Sequence, residues 1–393
     1  IVSLYAAKWN YELNAGKSAT VVIGESKNSR DLLRQSRRWY VSGEIVPEKD
    51  IYHHLGILRS VSASTLQRTT ERCSAGRSAF FSLNAIGARF GCLHPATTLR
   101  LYKTFCIPIL LYGSELWHIT KTELLLLERV HRRILRTLLG LPVRCSTKAL
   151  LHILGILDVK ALIHQRQMNF LFSFSRLPSD SLPVQLLRIR LENPPTGLIP
   201  TLQNTLAQYG FPPTNIILAG HWSQGGWKRT VRRLLLAEQY ADFTSDCSHL
   251  PLSECAELKL GRIIPHLLVC RGFPRATKLN ITRIRLLVNC HGLGTDTCRF
   301  RNNVSDPTCK LCGSGPEDTT HFISHCPALS SARILLPLLA ASDLAPLLDS
   351  DPNGFAEHIL GIRWIEDPPL QREIVVFLHR LHSEHHRQLL ALI

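Results

Sequence analysis

Four residues with zinc-binding side chains stand close together near the end of this chain. Their spacing is Cys309-x2-Cys312-x8-His321-x4-Cys326. Two cysteines separated by two residues can close a knuckle on one tetrahedral ion, and Gly313 lets the chain turn away at positive φ. Three thiolates and one imidazole fill a tetrahedral shell and leave no position open for a reactive water. The motif therefore predicts a structural Zn²⁺ site.

Two alternatives to this ligand set remain open in the sequence. His325 is a rival ligand, but it directly precedes Cys326, so binding by both side chains at once is awkward and His321 is preferred. The other alternative is chance clustering, because the chain holds 12 cysteines. The cysteines outside the motif have no convincing paired spacing, and we interpret most of them as small buried hydrophobic residues.

The basic charge of the chain is concentrated in its first half. Residues 1–190 hold 27 basic and 12 acidic side chains, a net charge of +15, whereas residues 191–326 have +4 and residues 327–393 have −3. Such a balance favours a polyanionic partner, either nucleic acid or an anionic membrane surface. No apolar run reaches the ~18 residues of a membrane-spanning helix, so a membrane protein is not expected.

The start of the chain carries two further indications. It begins at Ile1 and has a single methionine, Met168, so we expect a fragment of a longer product. No secretory signal pattern opens the sequence. We therefore predict an intracellular protein of the nucleus or cytoplasm, not a secreted one, with its cysteines free or bound to metal.

Short strands are expected first and helices afterwards. Ser18–Ile23 is rich in β-branched residues and predicts a strand, and residues 52–58 form a second short apolar run. Helical periodicity begins at Ala63, and a further helix follows Pro95. The clearest helix starts at Thr120, where Glu123 completes a capping box, and stops at Gly140.

An arginine cluster lies on that last helix, opposite its apolar face. Its members are Arg129, Arg132, Arg133 and Arg136. Four arginines on a helix are often only a solvated face. The alternative is a surface that follows successive phosphates, because these positions line up along one edge of the helix. The charge of the region favours the second interpretation.

The acidic, leucine-rich tail predicts a helix with Ile374, Phe377, Leu378 and Leu381 on one face. That face suits either a partner's groove or docking within the molecule. A set of histidines at helical spacing in the same segment is expected to form a solvated face. These are His379, His382, His385 and His386.

Several short motifs, in this order, resemble the C-terminal half of non-LTR (LINE-type) retrotransposon reverse transcriptases. Leu13–Ser18 resembles the family's motif D at the edge of the palm, and Tyr52–Ile57 resembles its Tyr-x-x-Leu-Gly-Ile primer-grip hairpin. Residues 102–105, 109–117 and 127–136 resemble the helical thumb, and the Cys309–Cys326 motif resembles the family's terminal CCHC knuckle. Each motif is weak alone, and the resemblance rests on their order.

The resemblance implies a mainly α fold with a small β remnant of the palm. The expected segments are a palm remnant with motif D and the hairpin (1–60), a helical thumb bundle (61–190), a helical linker region (191–300), the zinc knuckle (301–330) and an acidic helical tail (331–393).

The resemblance also implies site residues and partners. Lys17 would lie near the phosphates of the incoming nucleotide, although an ordinary turn lysine is the alternative. Leu55, Gly56 and Ile57 would hold the primer backbone. RNA and DNA template-primer, together with a missing N-terminal polymerase portion, would be the partners.

The family's catalytic carboxylates are missing from this sequence. Such polymerases hold Mg²⁺ on an adjacent Asp-Asp pair plus an upstream Asp, and no Asp-Asp pair occurs here. Tyr240-Ala241-Asp242-Phe243 imitates the motif but ends in Phe and lies beyond the thumb. Mg²⁺ would then belong only to the full-length parent enzyme, and this chain alone is predicted to be inactive.

The sequence is therefore compatible with two functions. The first is a fragment of an RNA-directed DNA polymerase that binds template-primer through its basic thumb and zinc knuckle. The alternative is a non-catalytic zinc-containing module, domesticated or a pseudogene relic, that contacts nucleic acid or protein, for example through residues 327–393.

Overall fold

The protein is described by a computed structural model of the 393-residue chain. It describes all residues except 1, 23–27, 30, 33–37, 42, 61–65, 117, 193–197, 221, 270–273, 301–303 and 393. The structure is 64% helix and 5% strand, which confirms the prediction of a mainly α fold.

The secondary structure follows one order along the chain. Among the described residues, the α-helices are α1 (Val2–Lys8), α2 (Leu66–Ser82), α3 (Pro95–Leu101), α4 (Ile107–Leu110), α5 (Lys121–Leu139), α6 (Thr147–Leu154), α7 (Val159–Phe174), α8 (Leu182–Glu192), α9 (Leu198–Gln208), α10 (Thr214–Leu218), α11 (Gln224–Cys247), α12 (Pro265–Leu268), α13 (Pro274–Leu287), α14 (Gly294–Phe300), α15 (Pro337–Ala340), α16 (Leu347–Ser350), α17 (Pro352–Leu360) and α18 (Pro368–Ala391). The strands are β1 (Trp39–Val41), β2 (Glu44–Val46), β3 (Ile51–His54) and β4 (Ile57–Ser60). Short 3₁₀ turns cover Ala15–Lys17, Leu83–Ile86, Ser114–Leu116, Pro251–Glu254 and Pro327–Ala332, and π turns cover Tyr102–Cys106 and His321–His325.

The strands form two antiparallel hairpins, β1–β2 and β3–β4. In the second, Leu55 and Gly56 form the two-residue turn, with φ of +50° and +73°, the backbone that a type I′ turn requires. The predicted strand Ser18–Ile23 is not formed: Thr20 makes an isolated bridge to Glu48, and residue 23 lies outside the described residues. One bridge has no ladder to extend it, so β-branched composition alone was insufficient here.

Helix α5 starts and stops as predicted. The Thr120 hydroxyl accepts a hydrogen bond from the Glu123 amide, the Glu123 carboxylate accepts one from the Thr120 amide, and Gly140 ends the helix at φ +63°. Glu123 is buried and also accepts a hydrogen bond from Thr69 of α2 at 2.9 Å. This bond ties the start of α5 to the helix packed against it.

One buried apolar cluster runs from Cys73 on α2 to Leu381 on α18 and includes the Cys309–Cys326 segment. The segments predicted as thumb, linker, knuckle and tail therefore share a core, and the boundaries between them stay a prediction. A second cluster forms around Trp227 of α11, whose ring stacks on Phe172 of α7 at a centroid distance of 5.1 Å.

The tail docks within the molecule. The predicted apolar face of α18, including Ile374 and Phe377, is fully buried, and the helix packs along α13. The buried Arg283 of α13 secures this junction: its guanidinium donates to the Leu360 carbonyl and to the Gln371 side chain, both at 2.7 Å. The sequence was compatible with docking either within the molecule or into a partner's groove. Because this face is buried within the chain, docking within the molecule is the correct alternative.

Candidate metal centre

The first two cysteines lie on a tight loop closed by the backbone. Thr308 and Pro316 form an antiparallel bridge. Inside it, the Cys309 amide donates to the Gly315 carbonyl at 2.8 Å, and the Gly313 amide donates to the Cys309 carbonyl at 2.9 Å. Gly313 has φ +68°, the left-handed backbone that the sequence analysis assigned to it. The loop thereby turns Cys309 and Cys312 toward one point.

The other half of the site comes from the π turn His321–His325. The Cys326 amide donates to the His321 carbonyl at 2.8 Å, an i+5 hydrogen bond of the π type. This widened turn explains the x4 spacing, because it brings the first and last residues of the segment to the same side. His325 is exposed and lies outside the ligand cluster, so the preference for His321 agrees with the structure.

The four candidate ligand atoms converge. All lie within 4.8 Å of one another. The Cys309 and Cys326 sulfurs are 3.9 Å apart, and the Cys312 sulfur is 3.3 Å from Nε2 of His321. Two sulfurs at ~2.3 Å from a tetrahedral ion lie roughly 3.8 Å apart. The Cys₃His cluster could therefore hold a metal ion, and its size is compatible with Zn²⁺.

The protonation tendencies of the ligands differ. Burial raises the pKa of the Cys309 thiol to about 12 and also raises the pKa of Cys326. For Cys312, burial again opposes the thiolate, but hydrogen bonds from the Ser314 hydroxyl and amide and from the Cys309 and Cys326 thiols together outweigh burial and lower the pKa. Burial lowers the pKa of His321, which keeps its imidazole neutral as a ligand needs. A bound dication would supply the charge that stabilises the buried thiolates.

A buried carboxylate and imidazole support the site from behind. Oε1 of Glu317 lies 3.7 Å from the Cys309 sulfur and 2.6 Å from Nε2 of His385 on α18. The Gly294 amide donates to the second Glu317 oxygen at 2.7 Å. Burial alone would raise the Glu317 pKa, but the hydrogen bond and attraction from His385, together with hydrogen bonds from the Gly294 amide and the Cys309 thiol, outweigh burial and lower the pKa. The tail helix is thereby hydrogen-bonded to the centre.

The predicted solvated histidine face is wrong for His385. This residue is only 4% exposed, and burial lowers the pKa of its half-buried neighbour His382 to about 4. A usable signal was present in the sequence: His385 continues the spacing of Leu378 and Leu381 along the apolar stripe. We had assumed that histidines at helical spacing lie on the surface, so the place of His385 on the apolar stripe was not recognised.

The turn that carries Lys17 contacts the strand of the hairpin that leads to Leu55 and Gly56. Lys17 is exposed on its 3₁₀ turn, and its carbonyl accepts a hydrogen bond from the Tyr52 hydroxyl at 2.9 Å. The hairpin tip contacts the helical region, because the Tyr112 hydroxyl donates to the Leu55 carbonyl at 2.8 Å. Leu55 and Gly56 are exposed, whereas Ile57 is buried. Their roles in binding primer and nucleotide stay predictions.

The arginines of α5 have different environments. Arg129 and Arg133 are exposed, and Arg132 pairs with Glu128 one turn earlier. Arg136 is turned inward and donates to the Cys145 carbonyl and the Thr147 hydroxyl, both at 2.9 Å. Its guanidinium joins α5 to α6, so the exposed part of the predicted phosphate-binding edge consists of Arg129 and Arg133.

A second basic surface was missed by the sequence analysis. On α11 four exposed cations follow the buried Trp227 at positions that share one face. They are Lys228, Arg229, Arg232 and Arg233. The repeated pair of basic residues, four apart, was the available signal.

None of the protein-family models, curated proteins or solved structures compared with this chain matches it. Within the described part of the chain, no helix is both long enough and apolar enough to cross a membrane.

Proposed function

We propose that this chain binds nucleic acid and carries a structural zinc ion. The observation that supports this best is the Cys₃His cluster, which lies in the same buried core as α5, a helix that exposes Arg129 and Arg133. Exposed guanidinium groups on a rigid helix can pair with successive phosphates and release their counterions. The charge of residues 1–190, a net +15, favours the same partner.

The proposed ion is Zn²⁺, held by Cys309, Cys312, His321 and Cys326. A shell of three sulfurs and one imidazole nitrogen is typical of structural zinc and has no position for a substrate. When bound, the ion would supply the positive charge for the thiolates. The chain's own contribution is to hold Cys309 through Glu317 and His385, a support that resembles the outer shells of zinc sites in general.

We further propose that the parent protein is a LINE-type reverse transcriptase. The order of the motifs supports this, as does the contact between the Lys17 turn and the hairpin residue Tyr52. RNA and DNA template-primer would be the partners. The chain lacks an Asp-Asp pair, so polymerisation and its Mg²⁺ ions would require carboxylates of a polymerase portion outside this sequence.

The alternative, a protein-binding module that acts through the tail, has less support. The apolar face of α18 is buried against α13, so this face is not offered to a partner. Association that uses other parts of the tail would be insensitive to salt, whereas nucleic-acid binding would weaken steeply with it.

The proposal is tested by measuring the affinity of the zinc-loaded chain for an RNA–DNA primer-template by fluorescence anisotropy over a series of salt concentrations. We expect log affinity to fall linearly with log salt. The double variant Arg129→Glu/Arg133→Glu should bind at least ~10-fold more weakly, about 1.4 kcal/mol or more.

The matched control is Arg372→Glu, an exposed arginine on the acidic tail, which should leave affinity nearly unchanged. Equal losses in both variants would indicate a nonspecific charge effect. Affinity independent of salt would exclude the proposed phosphate-directed binding.

A further inference from the structure

A pocket of about 260 Å³ opens beside α4, between the turn after α6 and helix α11. Its wall is partly apolar, with Leu111 and Leu157 buried. Three cations line the rest: Lys103, Arg166 and Arg232. None of the described residues that line this pocket is acidic. A low-dielectric wall strengthens the interaction between these cations and any anion that enters.

Lys103 occupies the π turn that precedes α4. Pro108 lies just beyond it and lacks an N–H, and the wide turn accommodates the proline ring within a nearly continuous helix. The Lys103 ammonium is half-buried and donates to the Gly155 carbonyl at 3.3 Å. Burial, followed by repulsion from Arg232, lowers its pKa to about 8.

The charged groups around Lys103 are mostly positive. Arg166 projects from α7 and Arg232 from α11, and the nearby His131 of α5 is uncharged at neutral pH because burial lowers its pKa to about 3. Glu115, on the adjacent 3₁₀ turn, is paired with Arg166 at 3.2 Å. The pocket therefore keeps an excess of positive charge after this ion pair is counted.

Lys103 also has a structural role, because its ammonium donates to the Gly155 carbonyl after α6. A cation beside the end of α6 could stabilise the helix dipole. However, α6 already ends in a left-handed Gly155 with φ +56°, whose amide bonds to the His152 carbonyl. The backbone of α6 therefore caps the end of this helix without Lys103. The Lys103 ammonium also lines the cavity, where burial lowers its pKa.

We propose that this pocket binds a phosphate group, supplied by the backbone of a nucleic-acid strand. A lysine point charge beside an arginine fork is a suitable combination for a phosphate. The identity of the strand rests on the proposed function, whereas the affinity for phosphate does not. The exposed basic face of α11, to which Arg232 belongs, would lead the strand to the pocket.

The experiment measures how fast a small amine-reactive acetylating reagent modifies Lys103 at pH 8. The zinc-loaded full chain is used, and peptide mass spectrometry detects the product. The probes are inorganic pyrophosphate and a single-stranded oligonucleotide without terminal phosphates. A bound phosphate raises the Lys103 pKa, and the protonated amine does not react. We expect each probe to slow acetylation of Lys103 at least ~5-fold, while the exposed Lys121 serves as the internal reference.

The variant Arg232→Gln should raise the probe concentration needed for half protection by about tenfold, equivalent to ~1.4 kcal/mol. Arg372→Gln, an exposed arginine on the acidic tail and not a lining residue, is the matched control and should leave this concentration unchanged. Arg232 is exposed, so its substitution should not prevent folding, and circular dichroism checks this.

Each result has a defined meaning. Protection by both probes supports the phosphate pocket and its use by a strand. Protection by pyrophosphate alone retains the pocket but assigns it to free phosphate compounds. If neither probe protects Lys103 from acetylation, the inference is overturned. Salt-dependent binding of primer-template with no protection of Lys103 would leave the proposed function intact, so the two failures are distinguishable.

Discussion

At the scale of single residues, His131 makes stability depend on pH. It is buried on α5, 2.7 Å from the Tyr102 hydroxyl through Nδ1, and burial lowers its pKa from 6.5 to about 3. Between these values the unfolded chain binds a proton that the folded chain does not. Stability should therefore be full above pH 6.5 and fall toward pH 3, by up to about 1.4 kcal/mol per pH unit.

Urea unfolding at pH 7.5 and 5.0 measures this effect. His131→Gln should reduce the loss of stability between the two pH values, although His164 and His382, whose pKa values are lowered to about 4 by burial, will retain part of it. His386→Gln, an exposed histidine, should keep the wild-type difference. An unchanged pH dependence in the His131 variant would contradict the assignment.

At the scale of elements, the dock of α18 should be a major source of stability. Phe377 is fully buried in the shared core, whereas Val376 beside it is 38% exposed. Phe377→Ala should cost about 3–5 kcal/mol of unfolding free energy, because it leaves a cavity. Val376→Ala should stay within about 0.5 kcal/mol. Urea unfolding compares the two, and equal losses would show that the tail is not packed as described.

Elements with strong local signals were predictable from the sequence, and those decided by longer-range geometry were not. The capping box at Thr120 and the apolar face of α18 are local patterns, so they were found. The π turn at His321 was not, because an i+5 hydrogen bond leaves no periodicity of its own in five residues. The ligand spacing still identified the site, because the four residue types and their separations are visible in the sequence even when the turn that joins His321 to Cys326 is not. The strand at Ser18 failed because its pairing depends on a neighbouring chain segment.

At the scale of the whole molecule, the metal centre and the helical core are expected to unfold together. Cys309, Phe322 and Cys326 belong to the same buried cluster as α5 and α18, and the bond between Glu317 and His385 joins the tail to the centre. Removing zinc with a chelator should therefore lower the midpoint of the main unfolding transition. Zinc at ~100-fold its dissociation constant adds about 2.7 kcal/mol of stability.

Calorimetry with and without chelator, combined with hydrogen exchange of α13 and α18, distinguishes a shared core from a separate knuckle. If the core is shared, removal of zinc should reduce the protection of α13 and α18 from hydrogen exchange, and added zinc should restore it. Cys312→Ser should abolish the response to zinc, while Cys92→Ser, an exposed cysteine outside the cluster, should retain it. An unchanged main transition, with protection lost only in residues 308–326, would show that the centre folds as a separate module. In that case Glu317 and His385 would act merely as neighbours of the centre, because their hydrogen bond would carry no coupling between the metal and the tail.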